Sequence, residues 1–229
     1  GPGYIEVTPG RKRFPVPVFY PEMVELVAAL LRHRFDVWVL SASNVWSVRC
    51  MVREGLNPRL REYGSGQGLQ ADHVIGISTL LTDRRRRLYK DAVLVRENPD
   101  YAALDEKVLR SYRLTSRLQF PVPTYSGKIA CLHDAIGRQP YLCAGDSPGD
   151  HAMLAFSQNR LWIARLEKPD FQKQTAALIG KTDGSGWLVQ ATLTEKSPGF
   201  VSDLNALDRR LENVPCGVRK AASVVSAFG

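Results

Sequence analysis

No apolar stretch in this sequence approaches 18 residues, so no helix is expected to cross a membrane. The opening residues Gly1-Pro2-Gly3-Tyr4 carry neither a basic n-region nor an apolar h-region, which excludes a visible signal peptide. There is no initiator Met, so the chain is expected to begin inside a longer reading frame or at a processed end. Cysteine is scarce: Cys50, Cys131, Cys143 and Cys216 include no CxxC pair and no His partners at zinc spacing. Cys131 and Cys143 sit in apolar stretches and read as small core residues. A reducing compartment fits this usage, favouring the cytoplasm, with the periplasm the alternative if a signal peptide precedes residue 1. No internal repeat is visible.

The 229 residues have the composition of a folded globular protein, with 44% hydrophobic and 24% charged residues. That excludes disordered, collagenous and coiled-coil classes. An excess of 31 Lys and Arg over 23 Asp and Glu gives a net charge of +8. A basic surface favours anionic partners: phosphorylated metabolites, nucleic acid or membrane headgroups. The excess is scattered except at Arg84-Arg85-Arg86-Arg87 and nearby Lys90. That run lacks the interleaved aromatics of a single-strand binding surface and reads as a solvated turn, so nucleic acid is not the expected partner.

Residues 1–20, rich in Pro and Gly, read as a lead-in with a short strand around Tyr4–Thr8. Pro21 at the first helical position opens a helix whose stripe is Met23, Leu26, Val27, Leu30 and Leu31. Phe35–Leu40 (FDVWVL) reads as a buried strand ending at Ser41-Ala42-Ser43-Asn44, followed by a helix across about 45–55. An irregular stretch spans about 56–125, with a strand at His73–Ile77. Leu80–Lys90 and Asp91–Arg96 read as a hairpin around the arginine run, and Asp105–Tyr112 as a helix. Ser126 is expected to cap a helix over 127–137. The strand Tyr141–Ala144 then leads into Gly145-Asp146-Ser147-Pro148-Gly149-Asp150, a short helix HAMLAF and a strand Leu161–Ala164. Trp187–Thr192 is the clearest strand of the remainder. Helices alternating with fully apolar strands imply an α/β fold with a parallel sheet covered on both faces.

In such sheets ligands bind beyond the carboxyl ends of the strands. Two strand ends carry unusual polar residues, Ser41-Ala42-Ser43 and Gly145-Asp146…Asp150, and between them Lys128 stands at a helix start. A carboxylate after a buried strand and a Gly suits a hard cation such as Mg²⁺. A second carboxylate four residues on can hold a metal water or orient a lysine. The Ser41 hydroxyl and neighbouring amides, Ala42 included, can bond phosphate oxygens. The Lys128 ammonium supplies a point charge for a phosphoryl group in transfer. Such a set suits phosphoryl transfer, where positioning and charge neutralisation provide most of the catalysis.

Taken in order, Ser41 in VWVLSAS, Lys128 in SGK, and Asp146 and Asp150 in GDSPGD resemble motifs II, III and IV of the haloacid dehalogenase-like (HAD) phosphatases. The helix PEMVELVAALLRHRF and the HVIG phrase are similar to the phosphoserine-phosphatase-like branch, near the bacterial phosphorylcholine phosphatases. The matched region is about 21–165, with 166–229 an extension of the same domain. The resemblance implies a three-layer α/β/α fold and a Mg²⁺-dependent phosphomonoester hydrolase working through an aspartyl-phosphate on a small phosphorylated metabolite. It further implies that Ser41 and Ala42 bind phosphate with Lys128, that Lys128 and Asp150 serve catalysis, and that Asp146 ligates Mg²⁺. The departure is that no DxDx[TV] nucleophile precedes Ser41; Asp36 stands at a strand start. The chain is therefore expected to lack the central first strand, the nucleophile and most of a cap, with residues 1–20 returning from that cap.

Plainer readings stand beside these. Asp146 and Asp150 can form an Asx-turn and a helix cap. Ser43 can take the phosphate role in place of Ser41, and His151 can simply flank its helix. Two other functions remain open: a noncatalytic protein that keeps a phosphate and metal pocket, and nucleic-acid binding through the basic surface.

Overall fold

The sequence condenses around two sets of parallel strands. They are seen in a computed structural model that describes residues 4–6, 10, 13–15, 17–97, 106–181, 185–193 and 199–201. The chain divides into two compact units. One is built from two segments, 1–23 and 140–229, and is called here the split unit; the other, 24–139, is the continuous unit. Helix α1 (Pro21–Arg32) begins in the former and runs into the latter, opening with the expected Pro21.

In the split unit, β1 (Tyr4–Glu6) and β2 (Arg13–Pro15) form an antiparallel pair. Its main sheet has four strands in the order β11-β10-β9-β8. These are β8 (Leu142–Gly145), β9 (Asn159–Arg165), β10 (Trp187–Leu193) and β11 (Gly199–Phe200). β8, β9 and β10 are parallel, while β11 adds an antiparallel edge. β9 is the middle of the parallel set, and its run Leu161–Ala164 is buried throughout, as a strand covered on both faces requires. α7 (His151–Phe156) and α8 (Pro169–Ile179) pack against it. Fully buried Trp162 donates its indole N–H to Gln172 Oε1 of α8 at 2.7 Å, and Gln172 Nε2 donates to Arg165 O at 2.9 Å. This ties helix to strand through a satisfied buried polar group.

In the continuous unit, β3 (Val39–Asn44) lies parallel to β4 (Val74–Ile77). A second sheet, antiparallel, has the order β6-β5-β7, from β5 (Thr79–Thr82), β6 (Leu88–Tyr89) and β7 (Arg113–Leu118). The helices are α2 (Val45–Met51), α3 (Asn57–Glu62), α4 (Asp91–Glu97), α5 (Glu106–Arg110) and α6 (Gly127–Ala135). A π-turn, Val52–Leu56, joins α2 to α3. Val45, Val48, Val52, Leu56 and Leu60 are all buried, so one apolar stripe continues through the three helical pieces.

The architecture is thus mixed α/β with parallel sheet segments and helices, and no helix among the described residues is long and apolar enough to cross a membrane. Several boundaries differ from those expected. The FDVWVL strand begins only at Val39 and runs on through Asn44, because Asn44 caps α2 by accepting from Trp46 N (3.1 Å) and Ser47 N (3.2 Å). The hairpin closes between β5 and β6, and 91–97 is helix, its Asp91 buried against Arg49. Ser126 does not cap α6: its backbone is already helical and its side chain makes no capping bond. The arginine run forms an exposed turn whose Asp83 accepts from the amides of Arg85 and Arg87 and from Arg87 Nε. Against the desolvation that raises it, the two bonds and the charge from Arg87 together with the Tyr89 hydroxyl hold the Asp83 carboxyl down at about 2. Cys131 and Cys143 are buried, as expected, and Cys50 is exposed. Cys216 and the stretch 202–229 lie outside the described residues.

Candidate functional site

Ser41, Ala42 and Lys128 belong to the continuous unit. Ser41 does not end its strand; it lies midway along β3, where the β3–β4 register breaks between Leu40 and Asn44. That irregularity takes Ser41, Ala42 and Ser43 out of the regular ladder. The Ser41 hydroxyl accepts from Ser43 N at 3.1 Å, a local turn that fixes the Ser41 rotamer. Gly76 of β4 allows this close packing: a Cβ there would stand 2.7 Å from Val45 Cα and 2.9 Å from Ser43 O.

Lys128 arrives from the far end of the unit. The segment before α6 folds tightly, with Thr124 N bonded to Val122 O and Gly127 N to Thr124 O, both at 2.8 Å. Gly127 is forced by this turn, since a Cβ would lie 2.1 Å from Val122 O. Lys128 is only 5% exposed, a rare state for a lysine. Its Nζ donates to Leu40 O at 3.4 Å, the carbonyl directly before Ser41 and 88 positions away in sequence. The structure therefore brings Lys128 to the Ser41 segment. Cys131, one turn along α6, is pushed up to about 11 by burial and by Asp134, with Lys128 opposing. It is an inert thiol at neutral pH.

Asp146 and Asp150 belong to the split unit, at the carboxyl end of β8. Asp150 is 6% exposed. Its Oδ2 accepts from Asp146 N (3.2 Å), Ser147 N (3.1 Å) and Ser147 Oγ (2.9 Å). With Ser147 it completes a capping box on the short 3-10 turn Pro148–Asp150, so the plain capping role is physically present. Gly145 leaves room for it, because a Cβ there would stand 2.5 Å from Asp150 Cβ. Asp146 instead turns outward: its Oδ2 accepts from Arg165 Nη1 at 2.9 Å, and both side chains are part-exposed. Arg165 is the last residue of β9, so its strand end faces the same loop. Tyr20 stands near this pair, and burial pushes its hydroxyl above the ordinary range, with Thr192 and Arg165 pulling the other way.

His151 flanks α7: its Nε2 lies 2.9 Å from Thr175 Oγ1 and its ring 5.5 Å from that of Trp162. Burial pushes its pKa down, with Asp150 opposing. The residues sequence reasoning missed are Arg165 and Tyr20. Arg165 carried one usable signal, its place at the end of an apolar strand; Tyr20 carried none.

As a metal ligand, Asp146 is an oxygen donor of the type Mg²⁺ takes together with waters and phosphate oxygens. Asp150 is committed to the loop. No cluster of three or more His, Cys, Asp or Glu suited to a metal occurs among the described residues. Comparison with protein-family models and with curated proteins finds no match to this chain.

Proposed function

We propose that this chain is part of a Mg²⁺-dependent phosphomonoester hydrolase of the HAD type, acting on a small phosphorylated metabolite. The observation that carries this reading is the buried Lys128 lodged beside the Ser41 segment. An ammonium held there sets a fixed positive charge next to the Ser41 hydroxyl and the adjacent amides, a donor set that suits a phosphoryl group. Topology adds support. Among the described residues, β3 pairs only with β4 and β8 only with β9, so both motif-bearing strands end their ladders. Parallel pairing at both strands is what an α/β sheet of this class requires.

In this reading Ser41 and Ala42 hold the phosphoryl oxygens and Lys128 neutralises charge developing on them. The nucleophile of this reading is an Asp outside this sequence. It attacks phosphorus as the ester P–O bond breaks and the leaving alkoxide is protonated to the alcohol. Water then cleaves the aspartyl-phosphate to inorganic phosphate and the free carboxylate. Bound Mg²⁺ would offset phosphate charge, held from this chain by Asp146. Asp150 keeps the 145–150 loop in the shape that presents Asp146. A second reading, a noncatalytic phosphate- and metal-binding protein, is favoured by one observation: no Asp-x-Asp nucleophile pair precedes Ser41.

The deciding experiment is p-nitrophenyl phosphate hydrolysis with Mg²⁺ by this chain and by one extended upstream. Activity in the extended form alone, abolished by Asp146→Asn and by Lys128→Ala, is the expected result. Metal binding without activity in either form would favour the noncatalytic protein.

A further inference from the structure

A cavity of about 320 Å³ lies within the continuous unit, and none of its lining residues belongs to the site assigned above. It is lined from α2, the π-turn, α3 and the 68–71 segment. The volume is at the small end of ligand pockets. Its lining carries three arginines, Arg49, Arg53 and Arg61, together with Trp46, and no carboxylate among the described residues.

The walls are fixed without a ligand. Asn57 clamps the opposite segment, its Nδ2 donating to Leu69 O at 3.0 Å and its Oδ1 accepting from Leu69 N at 2.9 Å. Gly68 permits that clamp, since a Cβ would stand 2.6 Å from Asn57 Cγ. Arg49 is buried and structural, bonded to Ala71 O at 2.9 Å and paired with Asp91. The other two cations are different. Among the described residues Arg53 pairs only with its exposed neighbour Glu54 at 2.6 Å, a contact of the kind worth little and readily exchanged. Arg61 is exposed and makes no side-chain hydrogen bond or ion pair among the described residues. Arg53 also sits on the π-turn, a form of backbone that occurs frequently at functional sites.

We propose that this cavity binds a flat-ringed small anion of the nucleoside monophosphate class. Trp46 offers the aromatic surface on which a base stacks. Arg61 and Arg53 present the guanidinium forks that take a phosphate in bidentate fashion. Gln70, exposed at the rim, has an amide whose donors and acceptor suit the polar edge of a base, which a purely apolar ring would leave unused. The site requires neither Mg²⁺ nor the phosphatase reading.

The test is isothermal titration of the full 229-residue chain with AMP in EDTA, which keeps divalent metal out of the experiment. The expected result is one AMP per chain, with adenosine alone and inorganic phosphate alone each at least tenfold weaker. Arg61→Glu, an exposed change that leaves the circular dichroism spectrum intact, should weaken AMP at least tenfold, and Arg53→Glu should weaken it in the same direction. No AMP binding at millimolar concentration overturns the proposal, as does unchanged affinity in Arg61→Glu. Phosphate binding as tightly as AMP would refute the ring contact and with it the ligand class.

Discussion

Replacing Asp150 with alanine removes one carboxylate oxygen on which three donors converge: Asp146 N, Ser147 N and Ser147 Oγ. The hydroxyl of Ser147 can rotate toward water, but the two amides belong to a part-buried loop and have no such freedom. Leaving a buried donor unmatched costs about 1–3 kcal/mol. Two amides, discounted for partial access to water, therefore place Asp150→Ala at about 2–4 kcal/mol. Asp150→Asn keeps one acceptor oxygen and should lose about half as much, since only the ionic part of each bond goes. Urea denaturation of both variants, followed by tryptophan fluorescence, measures the two losses. Trp162 and Trp187 report from the split unit and Trp38 and Trp46 from the continuous one, so a Trp38→Phe, Trp46→Phe background isolates the relevant transition. Amide exchange at Asp146 and Ser147 should accelerate in the alanine variant well beyond any change elsewhere. A loss below about 1 kcal/mol, or equal losses for Ala and Asn, would refute the idea that this carboxylate builds the loop.

Gln172→Leu should destabilise the split unit by about 1–3 kcal/mol in the same assay, because the buried Trp162 Nε1 loses its acceptor, while Arg165 O keeps the Lys168 amide. A change under about 0.5 kcal/mol would show that water replaces the amide. Gly127→Ala should be worse, since its Cβ would meet the backbone oxygen of Val122 at 2.1 Å and the turn that delivers Lys128 must open; soluble protein of unchanged melting temperature would contradict this. His151 sets a pH dependence. Burial lowers its folded pKa below the ordinary value of 6.5, so the unfolded chain binds more protons in the window between the two. Stability should therefore fall as pH drops below about 6.5 toward the folded value, and His151→Gln should flatten that slope in urea titrations at a series of pH values.

The parallel strands were legible because burial on both faces leaves a continuous apolar run that polar punctuation delimits. LCAG and LWIA are strands for that reason, and each was placed to within a few residues. Boundaries failed where a side chain, not the pattern, decides them. Asn44 takes two amides of α2, and that draws Ser41 into the strand where composition alone placed it at the end. Asp91 starts a helix and not a strand because a buried guanidinium, Arg49, waits 42 positions upstream. Such pairings have no local signature. The same logic separates the two carboxylates of GDSPGD, to which the family resemblance gives a metal role at Asp146 and a catalytic one at Asp150. Their neighbours assign opposite tasks: three donors from the loop turn Asp150 inward, whereas Asp146 meets a cation arriving from the end of β9. Whatever binds Asp146 must therefore compete with Arg165, and a ligand carrying both a divalent cation and an anionic group can satisfy both partners at once. A bare cation leaves the guanidinium unmatched, so occupancy at Asp146 should be strongest when metal and phosphate arrive together.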